Sequence, residues 1–266
     1  KSEFDQVLEF LVKERKAEAA AERARRQVLE TTKDIEKNQK KKVFASDKLK
    51  DAEYLGQDAT LLLVEGNSAA ASMAMARDVT KYGILALRGK VINCLSNTDE
   101  KIFNNEEIKL LLSAMNITPE KYDNKKLRYG KIAICVDSDS DGSHIGLLIM
   151  AALQYLAPKF IEEGRLCWLR SPLYIVKNGK KEDYYFTDEE MNRVKGKIKG
   201  EIQRNKGLGS LSAEQARASM FSEKQKMETI LPSKDALLLL ENLMGPDVAP
   251  RADFIFNNVD FSIIHE

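Results

Sequence analysis

The pattern along this chain predicts an α/β protein: a parallel sheet flanked by helices, entered through an N-terminal helical stalk and followed by a small α+β subdomain. Three observations carry that expectation. The runs T-L-L-L-V-E at 60–65 and K-I-A-I-C-V at 131–136 are apolar without alternation, as strands buried on both faces are. Segments with helical apolar spacing alternate with such runs, which is the signature of βαβ units. Residues 1–42 contain no Gly or Pro and are rich in Ala, Glu, Lys and Arg.

The elements follow in order. Phe4, Leu8, Leu11 and Val12 open the N-terminal helix at helical spacing. The apolar stripe then thins to alanines and the pair Val28–Leu29, so this helix reads as a solvated stalk over 1–57. The basic run Lys40–Lys42 reads as a solvated face. A helix rich in Ala and Met is expected over 68–79, a short strand over 84–87 and a helix over 105–115. Another helix is expected over 143–156, and an extended stretch interrupted by Pro172 over 166–176. The α/β domain is thus placed at 58–178. Beyond it, a turn at Asn178–Gly179, a capping box at Thr187 and Glu190, a Gly-rich loop at 206–209 and helices near 213–221 and 233–244 make up the subdomain 179–266.

Composition narrows the function. The 266 residues are 43% hydrophobic, enough for a sizeable core. Lys and Arg total 42 against 41 Asp and Glu, a net charge of +1, so any contact with nucleic acid must come from local clusters. Cys94, Cys135 and Cys167 are odd in number and widely spaced, which fits neither a disulfide framework nor a zinc site and suggests a reducing compartment. The longest apolar stretch, 145–157, contains Gln154 and is too short for a bilayer, and no secretory signal is read. The chain begins inside a helical pattern, as an excised piece of a longer protein would.

The chemistry concentrates in D-S-D-S-D-G, where Asp137, Asp139 and Asp141 follow a buried strand. Glu65 ends another. In open α/β sheets ligands bind beyond the carboxyl ends of the strands, so neighbouring strands would bring Glu65 to the aspartates. Carboxylates packed together need a cation, and hard oxygen donors favour Mg²⁺ or Mn²⁺ over Zn²⁺. A calcium loop of the EF-hand type also begins D-x-D-x-D-G. It requires a bidentate Glu at its twelfth position, where this chain has Leu148, and a helix where this chain has a strand. The plainest alternative for the hexapeptide alone is a solvated Asp-rich turn.

E-G-N-S-A at 65–69 and D-S-D-S-D-G-S-H at 137–144 resemble the two signatures of Toprim domains, whose Rossmann-like sheet is the fold expected here. L-R-G-K-V-I-N at 87–93, L-R-Y-G-K-I at 127–132, Q-R-N-K-G-L-G at 203–209, L-M-G-P-D-V-A-P-R at 243–251 and K-L-K-D-A at 48–52 resemble stretches of type IIA DNA topoisomerases, in the family's order. The likeness runs from about residue 44 to 253. One position departs: Asn67 stands where the family usually has Asp. The mixture of K-Y-G and D-G-S-H-I with E-E-G-R-L and P-L-Y resembles large bacteriophage members.

The resemblance implies an ATP-dependent type II topoisomerase in which metal ions support transient double-strand cleavage. It assigns Glu65 and Asp137 to the ion nearest the reacting bond, with Glu65 also moving a proton during religation. Asp139, with Asp141, goes to a second ion position. Arg88, Lys90, Asn93, His144 and Lys206 are the DNA-contact candidates, although an isolated Arg or Lys is ordinarily a solvated charge. Gly142 is expected to permit a tight turn. The nucleophilic tyrosine and the ATPase domain are expected elsewhere, on a breakage-reunion domain or subunit and on an upstream domain, in a dimer or heterotetramer acting on double-stranded DNA. A bacterial or phage-infected cytoplasm is implied, or a nucleus if the source is eukaryotic. Arg128–Tyr129 is an Arg-Tyr pair in the wrong context for the nucleophile. Remaining alternatives are a Toprim nuclease or primase, a haloacid-dehalogenase-type phosphotransferase, disfavoured by Asp141, and a non-enzymatic helical interaction module.

Overall fold

A computed structural model describes residues 3–41, 47–118 and 122–258. The elements are α1 (Glu3–Lys41), β1 (Leu49–Lys50), β2 (Gly56–Glu65), α2 (Gly66–Ala76), β3 (Tyr82–Leu87), α3 (Asp99–Asn104), α4 (Glu106–Met115), β4 (Tyr129–Cys135), α5 (Ser140–Leu156), α6 (Pro158–Glu162), β5 (Leu166–Leu169), β6 (Tyr174–Asn178), β7 (Lys181–Tyr185), α7 (Asp188–Val194), β8 (Glu201–Arg204), α8 (Ala213–Met220), β9 (Met227–Thr229), α9 (Lys234–Met244) and α10 (Val248–Asn258).

A six-stranded sheet in the order β1-β3-β2-β4-β5-β9 forms the centre. β3, β2, β4 and β5 run parallel, and the short edge strands β1 and β9 pair antiparallel. The non-alternating sequence of β2 has a direct reason. Leu61 and Leu63 point into an apolar cluster built with α4 and α5, while Leu62 and Val64 enter a second cluster built with α2 and α8. Both faces of the sheet are therefore covered, as its composition requires.

Several expectations are refined. The stretch 166–176 divides at Ser171–Leu173: β5 belongs to the large sheet and β6 to a separate three-stranded sheet, β7-β6-β8. Proline cannot donate to a ladder, which explains the break at Pro172. The chain after β8 then returns, and β9 pairs with β5. α5 begins at Ser140, so Gly142 lies in the first helical turn rather than in the preceding turn. The Thr187 hydroxyl accepts from Glu190 N as expected, but Glu190 Oε2 accepts from Phe186 N rather than from the N-cap residue itself.

The N-terminal helix is exposed through most of its described side chains, yet its last turns pack on α3 and α4. Val28 and Ile35 join the core there, and Ile35 is only 1% exposed. The side chains of Phe4, Leu8, Leu11 and Val12 and those of 40–42 lie outside the described residues. Cys94, Cys135 and Cys167 are free and buried, and burial pushes the Cys94 thiol up to about 12.

Candidate metal centre

The connections decide where the site forms. β2 feeds α2, which packs in one cluster, and β4 feeds α5, which packs in the other, so the two chains leave their strands toward opposite faces. That opens a crevice beyond the carboxyl ends of β2 and β4. The two strands are parallel neighbours, with Val64 opposite Cys135. Glu65 is the last residue of β2, and Asp137 follows two residues after the end of β4. The adjacency of the two strands that the sequence reading required is therefore present.

Each acid there has its own environment. Glu65 is half-buried at the entry to α2. Burial first, and then the charges of Asp137, Asp139 and Asp141, push its carboxyl above the usual range, with Lys90 offsetting in part. Asp137 Oδ1 accepts from the backbone amide of Leu208 at 2.7 Å. Asp139 caps α5, its Oδ1 accepting from Gly142 N at 2.7 Å. Asp141 turns to Lys90, whose Nζ lies 3.0 Å from its Oδ1. Among the described residues, no group of three His, Cys, Asp or Glu side chains converges on one point suited to an ion. The acids share one edge, but each aspartate is committed to a different partner.

Two glycines pack closely on Asp137, one on its backbone and one on its carboxylate. A Cβ on Gly142 would come 2.1 Å from the Asp137 carbonyl oxygen, and one on Gly207 would come 2.5 Å from its Oδ2. Gly207 also has φ 154°, where side chains are strained. The loop 206–209, read in the sequence only as a phosphate contact, is therefore the clamp on this carboxylate. A Gly-rich loop far along the chain was the only available signal, and it does not name its partner.

The cationic candidates divide. Arg88 is exposed and lines a pocket of about 650 Å³ with Lys48, Lys50, Glu65 and Asn67. His144 is exposed on α5, and Lys206 is exposed beside Asp139 in a second pocket. Asn93 is used by the fold: its Nδ2 donates to Met244 O at 2.7 Å and its Oδ1 accepts from Leu95 N at 3.1 Å. It anchors the end of α9 to the loop after β3.

Known proteins share both the sequence and the fold that build this edge. Residues 60–166 match the Toprim domain family. The chain is 35% identical over 258 residues to the DNA gyrase B protein of Thermotoga maritima, covering 94% of this chain and 40% of that protein. It is 37% identical over 205 residues to the DNA gyrase B protein of Archaeoglobus fulgidus, covering 75% and 32%. The DNA-binding, cleavage and re-ligation domain of Plasmodium falciparum topoisomerase II superposes with a TM-score of 0.74 at 25% identity, covering 83% of this chain and 32% of that one. The chain thus spans about two fifths or less of the length of these relatives.

Proposed function

We propose, from the match of residues 60–166 to the Toprim domain family, that this chain is the metal-binding portion of a type II DNA topoisomerase, supporting double-strand cleavage by a tyrosine from another domain or subunit. The observation that carries this reading is the placement of Glu65 and Asp137 at the ends of adjacent parallel strands. The donor set is carboxylate oxygen, which suits a hard divalent cation, Mg²⁺ or Mn²⁺.

Glu65 and Asp137 would hold the ion nearest the reacting bond, and Asp139 with Asp141 a second. The chemistry these carboxylates would gain from a bound ion is positive charge to offset the negative charge on the phosphodiester and on the leaving 3′-oxygen. The protein's own groups do the rest. The Leu208 amide and Gly207 fix the rotamer of Asp137, so the carboxylate is oriented before DNA arrives. Glu65, whose carboxyl is held above the usual range while the acids have no cation beside them, would also carry a proton when the strand is resealed. Arg88, Lys206 and His144 are exposed and would hold backbone phosphates in register. The remaining parts of a full-length enzyme would supply ATP hydrolysis, the nucleophile, and the dimeric or heterotetrameric frame.

The test combines this chain with a tyrosine-bearing breakage-reunion partner and supercoiled plasmid, with Mg²⁺ or with chelator. Linear DNA carrying covalently attached protein is expected only when partner and metal are both present. Asp137→Ala is expected to abolish it while leaving the far-UV circular dichroism unchanged. Metal-dependent cutting by this chain alone would instead mark a Toprim nuclease.

A further inference from the structure

Beside the acid turn lies a second pocket of about 280 Å³, lined by Ser138, Asp139, Ser171, Arg204 and Lys206 among others. Its cation is held in advance. Arg204 on β8 pairs with Tyr174 on β6 across the small sheet, and its guanidinium carbon stands 5.9 Å from the centroid of the Tyr174 ring. The Tyr174 hydroxyl donates to Asp188 at 2.5 Å, which pins the ring under the charge. A guanidinium drawn to a ring at this distance keeps its N–H groups for an acceptor. Among the described residues neither Arg204 nor Lys206 forms an ion pair. Ser171 is buried, and its hydroxyl lies 3.4 Å from that of Ser138.

We propose that this pocket seats a backbone phosphodiester of the nucleic-acid strand, a refinement that rests on the DNA reading above. Arg204 and Lys206 supply charge, and the Ser138–Ser171 hydroxyl pair, in which one O–H is shared between the two, leaves the other to donate. The pocket holding Arg88 and Lys50 is lined by Glu65 and this one by Asp139, so a repeating anion would meet a cationic seat at each of these two acids. Asp139 sets the chemical class. A diester carries one negative charge, whereas inorganic phosphate or a monoester carries about 1.5 to 2 near neutral pH and is repelled more strongly.

The experiment is fluorescence anisotropy of a labelled DNA duplex binding to this chain, in chelator and over a range of salt. Arg204→Ala should weaken binding roughly three- to tenfold and lower the slope of log affinity against log salt by about 0.9, the loss of one phosphate contact. Arg204→Lys should keep the slope and lose part of the affinity, since the charge remains without the planar, forked set of donors. Lys181→Ala removes a charge from the same small sheet, one already paired with Asp183 at 3.0 Å, and should change neither. Inorganic phosphate should displace the duplex no better than chloride at equal ionic strength. If Arg204→Ala matches Lys181→Ala while the unmodified chain binds DNA, this seat is wrong and the topoisomerase reading stands. Specific displacement by phosphate would equally overturn the diester assignment. If the unmodified chain binds no duplex at any salt, both fall together.

Discussion

The backbone amide of Leu208 donates to Asp137 Oδ1 at 2.7 Å, joining residues 71 apart in the chain. The central acid of the site is thereby oriented by a loop that follows the small sheet. Gly207→Ala tests this relationship. Its Cβ would meet Asp137 Oδ2 at 2.5 Å in a backbone at φ 154°, so loop and carboxylate must separate. A displacement of about 1 Å can cost on the order of 100-fold in rate. Metal-dependent cleavage with the tyrosine-bearing partner should fall on that scale, while circular dichroism stays native. Full activity in Gly207→Ala would show the clamp to be dispensable.

Tyr129 is wholly buried, and its hydroxyl donates to Asp51 Oδ1 at 2.6 Å and accepts from Ala52 N at 3.1 Å. Tyr129→Phe leaves both partners short of a bond, at a cost of about 1–3 kcal/mol. Urea denaturation should show that loss with an unchanged slope. Plasmid cleavage below the melting point should be unaffected, because this phenol ties β4 to the segment after β1 and has no path to DNA.

Glu65 gives a pH signature. Burial and the neighbouring aspartates raise its carboxyl pKa in the folded state. A raised acid pKa means that ionisation works against folding, so the Glu65 contribution is most favourable below its unfolded pKa and is lost as pH rises through the folded one. In chelator, Glu65→Gln should therefore melt higher than the parent at pH 7, and the difference should vanish below about pH 4. A lower melting temperature at pH 7 would contradict the assigned electrostatics.

Lys90 and Asp141 form an ion pair with side chains 51% and 73% exposed. Such pairs contribute about 0–1 kcal/mol, so Lys90→Ala should hardly alter stability. It removes a cation from the acid edge and a candidate phosphate contact together. Isothermal titration should show tighter Mn²⁺ binding, and anisotropy should show weaker DNA binding. Changes of the same sign in both would refute this division of labour.

The parts of the fold that were legible are those where a residue's own environment dictates its type. β2 and β4 could be read because both their faces are covered, and from them the meeting of Glu65 with the acid turn follows. β1 and β9, of two and three residues, carry no period long enough to detect. The docking of α1 rests on Val28 and Ile35, too sparse a stripe to distinguish from a solvated helix. The hold of Leu208 on Asp137 is a backbone contact, which no side-chain pattern encodes. Asn93 carried a surface residue's chemistry, yet its amide is spent on Met244 O and Leu95 N.

β9 has a further consequence for handling the protein. It covers the outer side of β5, pairing Cys167 with Thr229 and Leu169 with Met227. A chain clipped or truncated before residue 227 keeps every acid of the site but bares the hydrogen-bonding edge of an apolar strand. Such an edge is a template for another copy to add to. Fragments ending there should precipitate or form strand-paired oligomers, and light scattering would distinguish them from chains that run through 229.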